Sequence, residues 1–155
     1  MADLNDVYSA RLLDLAADIP LSGAISAPDA RASAHSKLCG STVSVEIAVE
    51  DDRIVGFGQT VKACLLGQAS ASIVGREIIG TPFGEFRAIA AQMRAMLKEN
   101  GPPPSGRWAD LALLEPVRPY KARHASTLLI FDAVERAIDM VEGATQHAAK
   151  STAVS

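Results

Sequence analysis

Apolar positions along the chain change their period several times, and each change marks an element. Leu4, Val7, Tyr8, Leu12 and Leu15 recur at helical spacing and predict an amphipathic helix over residues 3–17, closed by Asp18-Ile19-Pro20. Residues 20–38 hold Pro20, Gly23 and Pro28 among scattered Ser and Ala and read as an irregular connection. Val43, Val45, Ile47 and Val49 then alternate with Ser44, Glu46, Ala48 and Glu50, which is the period of a half-buried strand. Glu50-Asp51-Asp52 turns the chain into a second strand from Arg53, with Val55, Phe57, Gln59 and Val61 on one side and Ile54, Gly56 and Gly58 on the other. Gly56 and Gly58 point to a bulge or a close backbone approach. A short third strand is expected near residues 61–64.

Beyond Cys64 the period becomes helical. Helices are predicted over 66–75, whose face is small, and over 82–99, with Phe86, Ile89, Ala90, Met93 and Leu97 on one stripe. Asn100-Gly101 and Pro102-Pro103-Pro104 stop the second of these. A short helix follows from Trp108 to Leu114. The longest spans 121–142, with Leu128, Phe131, Val134, Ile138 and Val141 inward and Gly143 as its C-cap. The order predicts an α+β fold in which helices pack on a small antiparallel sheet made of the hairpin and a short third strand. One domain is expected over 1–143, with 144–155 a disordered tail.

Composition narrows the class. With 48% apolar and 21% charged residues the 155-residue chain is an ordinary globular protein, long enough for one core. A net charge of −3 without a basic block argues against nucleic acid as a partner. The N-terminus MADLNDVYSA lacks a charged leader before an apolar run, and no stretch approaches a membrane span, so a cytoplasmic protein is expected. Thiols stay reduced there, so Cys39 and Cys64 are not expected to form a structural disulfide.

Those two cysteines carry the candidate chemistry. Cys39 precedes the first hairpin strand and Cys64 follows the second, and an antiparallel hairpin puts these positions at one end of the sheet. A third place, Arg123-His124-Ala125-Ser126, opens the last helix and is expected to meet them. Two thiols without a CxxC pair make a weak metal motif on spacing alone; two buried free cysteines are the bland alternative.

In combination, LCGS at 38–41, the hairpin and VKACLLGQASASIVG at 61–75 resemble the iron–sulfur cluster assembly scaffolds of the IscU/NifU type, closest to the SufU branch, over about residues 4–142. The resemblance implies a scaffold or carrier that receives sulfur from a cysteine desulfurase, passes clusters to apo iron–sulfur proteins, and holds iron, a transient cluster or zinc. Cys39 and Cys64 match the first two cysteines of that family. Ser41 stands where the family has aspartate, and Ser126 where it has a third cysteine. A hydroxyl must lose a proton to ligate well, so serine replaces thiolate or carboxylate poorly.

Several ways of completing the site stay open. His124 could complete a Cys39-Cys64-His124 metal set, or act only as a first-turn histidine. Two chains could pool their thiols in a homodimer, or a single thiol could carry a persulfide. A degenerate homologue serving as sulfur acceptor or interaction module is the alternative function. A cysteine nucleophile with His35 or His124 as base lacks a local triad, and GREIIGTPFG lacks the ending of a phosphate loop, so neither an enzyme nor ATP chemistry is expected.

Overall fold

The structure is a computed structural model describing residues 9–37 and 40–154, with side chains to 143. Helix α1 (Ala10–Ala17) starts at Ser9, whose hydroxyl accepts from the Leu12 amide at 3.2 Å, and buries Leu12, Leu15 and Ala16. Residues 1–8, the first half of the helix expected over 3–17, lie outside the described residues.

The sheet has four strands in the order β1-β2-β3-β4, all antiparallel: β1 (Ala30–His35), β2 (Thr42–Glu50), β3 (Arg53–Lys62) and β4 (Thr81–Pro82). The α+β class is as expected, but the strands beyond the hairpin lie elsewhere. Residues 61–62 simply end β3. The additional strands are β1, inside the stretch read as irregular, and β4, which pairs with Arg53 and Ile54. In β1, Ala30 and Ala34 are buried and Arg31, Ser33 and His35 exposed, so alternation is present but is written in alanine, a weak strand former.

Asp51 and Asp52 both have positive φ, 53° and 59°, and make the two-residue turn whose twist suits a hairpin. Register then slips between Ala48 and Val49, which face Gly56 and Ile54, leaving Val55 as the extra residue of a bulge. That bulge corrects the expected faces of β3. Ile54 joins Phe57 and Gln59 in the interior, while Val55 is 45% exposed. Along the edge of β3 away from β2 run residues 21–23, with Gly23 N donating to Gln59 O at 2.8 Å and Gln59 N to Leu21 O at 3.0 Å. A Cβ on Gly58 would collide with the Gly23 carbonyl oxygen, which is why this strand position lacks one.

Helices α2 (Leu65–Glu77), α3 (Phe83–Lys98) and α4 (His124–Val154) build the core with the sheet. The α4 helix runs past Gly143, the expected cap, so the backbone of the stretch read as a tail is helical to Val154. A single internal glycine costs a helix only about 1 kcal/mol, and the alanines that follow favour continuation. Between α3 and α4 the expected short α-helix is a 3-10 helix, Gly106–Val117, followed by a second 3-10 turn, Lys121–Arg123. Its buried residues Trp108, Leu111, Leu114 and Val117 repeat every third position, the period of three residues per turn. Pro116 inside it also disfavours the α form.

Glu85 anchors that segment. Its carboxylate accepts from Trp108 Nε1 at 2.9 Å and from the Arg107 guanidinium. The Trp108 hydrogen bond, then that of Arg107, hold the Glu85 carboxyl below its ordinary value of 4.5. A depressed folded-state value means that ionised Glu85 contributes stability above about 4.5 that is lost as pH falls through the lower value. Urea midpoints at pH 7 and pH 3 should therefore differ more for the wild type than for Glu85→Gln. Equal differences would show that the carboxylate does not couple to folding.

Candidate functional site at the hairpin end

Cys64 stands where β3 gives way to α2. It is the N-cap of α2, with extended φ and ψ of −65° and 171°, and its carbonyl accepts from Gln68 N at 2.9 Å. The Cys64 amide donates to Ser41 Oγ at 3.3 Å, and its thiol to Ser126 Oγ at 3.3 Å. Ser126 Oγ in turn donates to the Arg123 carbonyl at 3.2 Å. Cys64 is half-buried, whereas Ser41 and Ser126 are buried. Three segments far apart in the chain thus meet at one residue, Cys64, through its amide and its thiol.

Local structure explains each position. Ser41 directly precedes β2, and Ser36 N donating to Ser41 O at 2.8 Å closes the loop between β1 and β2. Cys39 belongs to that loop in sequence but lies outside the described residues. Ser126 sits in the first turn of α4, which approaches α2 closely because α2 presents small residues. A Cβ on Gly67 would stand 3.1 Å from Ser126 O, and Ser70 Oγ donates to Thr127 O at 2.7 Å. The small face of α2, through Gly67 and Ser70, is therefore the packing surface expected of it and brings Ser126 to Cys64.

His124 is placed differently. Its ring is buried, and Nε2 lies 2.9 Å from Arg118 O and 3.2 Å from Val117 O. Both partners are carbonyls, so Nε2 carries the proton and only Nδ1 remains for any ligand. His124 shares a pocket with Lys98, Arg118 and Lys121, whose cations make its surroundings unfavourable to a metal ion. His35 is exposed at the end of β1, opposite Thr42. Among the described residues no group of three or more His, Cys, Asp or Glu side chains could hold a metal. No helix among them is long and apolar enough to cross a membrane.

The site therefore offers one described sulfur at the N-terminus of a 13-residue helix, with the Ser126 hydroxyl against the thiol and the Ser41 hydroxyl on the Cys64 amide. The positive end of the helix dipole favours negative charge there, such as a thiolate. The hydroxyls are neutral groups that donate or accept hydrogen bonds; they are not ready metal ligands.

No family model and no curated protein matches the sequence. Solved structures do. A protein of Fervidobacterium islandicum AW-1, described as an iron–sulfur cluster assembly scaffold for the SUF system, shares the fold at TM-score 0.80 and 20% identity, over 88% of this chain and 99% of that one. A hypothetical protein shares it at TM-score 0.77 and 23% identity, over 88% and 99%. The NifU-like protein (N-terminal) of Brucella abortus is similar at TM-score 0.89 and 51% identity, over 90% of this chain and 97% of that one. On that similarity, nearly full length in both chains, this chain belongs to the NifU-like N-terminal family of the IscU/NifU type.

Proposed function

We propose that this protein is a scaffold or carrier in iron–sulfur cluster assembly, working in the cytoplasm and holding its cargo through Cys64 and Cys39. The convergence of Ser41, Cys64 and Ser126 carries the reading, because these are the positions at which the family resemblance puts ligands. Cys39, two residues before Ser41 in sequence, adds the second thiol. A cysteine desulfurase would supply sulfur, and apo iron–sulfur proteins would receive the product.

Two thiols per chain are fewer than the four cysteine ligands that clusters commonly take. The remaining positions fall to a second copy or to small exchangeable ligands. Iron or a transient cluster is the cargo of first choice, and zinc can occupy the same thiolates.

The hydroxyl contact favours a second reading, a sulfur acceptor without metal. In that case the Cys64 thiolate attacks the terminal sulfur of a donor persulfide. One S–S bond forms on Cys64 as the donor S–S bond breaks, and the donor cysteine leaves as thiolate, with no net oxidation. Ser126, which now accepts from the thiol, can turn its own proton toward the anionic sulfur.

Anaerobic incubation with iron and sulfide, with zinc in a second arm and a small-molecule persulfide as sulfane-sulfur donor in a third, tests the proposal. Metal, labile sulfide and cyanide-reactive sulfur are counted per chain, with thiol-alkylated protein as control. Bound iron or zinc that alkylation removes supports the carrier, and cyanide-reactive sulfur alone supports the acceptor. Equal counts in blocked and unblocked protein would refute both.

A further inference from the structure

The first turn of α4 has a second side, facing away from the cargo chemistry. There the end of α3, the end of the long 3-10 segment and the start of α4 border an open cavity of about 460 Å³. Lys98, Arg118, Lys121 and His124 line it, together with the apolar Leu97 and Ala125, and no acidic residue does. In a chain of net charge −3 this is a local concentration of positive charge contributed by three separate elements.

Part of that charge has a structural purpose. Arg118 Nε donates to Met96 O at 2.7 Å and Nη2 to Gly101 O, capping the end of α3, and Arg118 also pairs with Glu115 at 3.6 Å. Lys98, in the last turn of α3, suits the negative end of that helix dipole. Lys121 has no such purpose. It lies just before α4, at the positive end of a 31-residue helix whose first turn holds no acidic side chain. Cations placed there repel the dipole unless an anion joins them. Lys98 and Lys121 have no ion-pair partner among the described residues.

We propose that this cavity binds a small organic anion, a phosphorylated or polycarboxylate metabolite, whose charged groups meet Lys98 and Lys121 and whose carbon skeleton lies against Ala125. The volume lies within the range of small-molecule sites and is larger than one phosphate group needs. A metal cation is disfavoured by the same charges. His124 is then a wall of this pocket, its ring fixed by the Val117 and Arg118 carbonyls. The inference does not depend on the cargo reading, since none of these residues touches Cys64 in the described hydrogen bonds.

Amide NMR titration of the full chain tests it, with inorganic phosphate, citrate and, at matched ionic strength, chloride. Saturable shifts confined to residues 97–100 and 118–126 with phosphate or citrate, and absent with chloride, are expected. The Lys98→Gln/Lys121→Gln double variant should weaken the apparent affinity by about tenfold or more. Lys62→Glu, on an exposed lysine outside the cavity, should not change it. The proposal is overturned by shifts that do not saturate, by equal weakening in the Lys62 variant, or by binding of a hexaglutamate peptide when neither small anion binds.

Discussion

Phe86→Ala should lower the unfolding free energy by about 3–5 kcal/mol, a large part of the stability of an ordinary domain. Phe86 is fully buried and sits between two other rings: Phe131 stacked at 5.8 Å and Trp108 edge-on at 6.2 Å. Removing it empties the point where α3, α4 and the 3-10 segment share one contact. Rings on separate elements cannot collapse together without moving those elements, so the cavity should stay largely open. Urea denaturation of the purified variant measures the loss. A change below about 1 kcal/mol would mean that the three elements repack freely. The neighbouring pairs Arg87–Asp139 and Arg94–Asp132, at 2.6 Å and 2.7 Å, join α3 to α4 but are partly exposed and offer little compensation.

The second large effect is chemical. Cys64→Ala should reduce bound iron, sulfide or sulfane sulfur to the level of alkylated protein while leaving the unfolding midpoint nearly unchanged. The lost side chain is half-buried, and its backbone bond to Ser41 remains. Ser126→Cys should act in the opposite direction, because it sets a third sulfur beside Cys64, where the hydroxyl now lies at 3.3 Å. Iron retained after gel filtration, counted per chain, separates these outcomes. If Cys64→Ala keeps its full load, the cargo site lies elsewhere. If Ser126→Cys binds no more than the wild type, the serine position has lost the geometry of a ligand.

Much of this architecture was legible because the β-branched and bulky positions carry strong periods. Val43, Val45 and Ile47 identify β2, and Phe86, Met93 and Leu97 mark the buried stripe of α3. The failures share a physical cause, namely small residues. Ala30 and Ala34 hold β1 in the core without looking like strand residues; Gly56 and Gly58 do mark the bulge and the close approach, but not that Ile54 turns inward and Val55 outward. The 3-10 segment is legible in principle through its three-residue spacing, which over so short a run resembles the commoner helical period.

At the site, Ser41, Cys64 and Ser126 could be brought together from motif order and the hairpin. Two details required the folded chain. The Arg123 carbonyl that holds Ser126 is a backbone group, invisible to any reading of side-chain types. The cationic cavity joins Lys98 and Arg118 to Lys121, and separations of that size acquire meaning only once α3 and α4 are side by side.

The chain has a single tryptophan, and its surroundings give the protein an internal optical gauge. Trp108 is 3% exposed, and its indole nitrogen is bonded to Glu85. Its emission should be blue-shifted in the native state and move to the red when the 3-10 segment leaves α3. Unfolding can then be followed without a label on either thiol, so stability and cargo can be read from the same untouched sample.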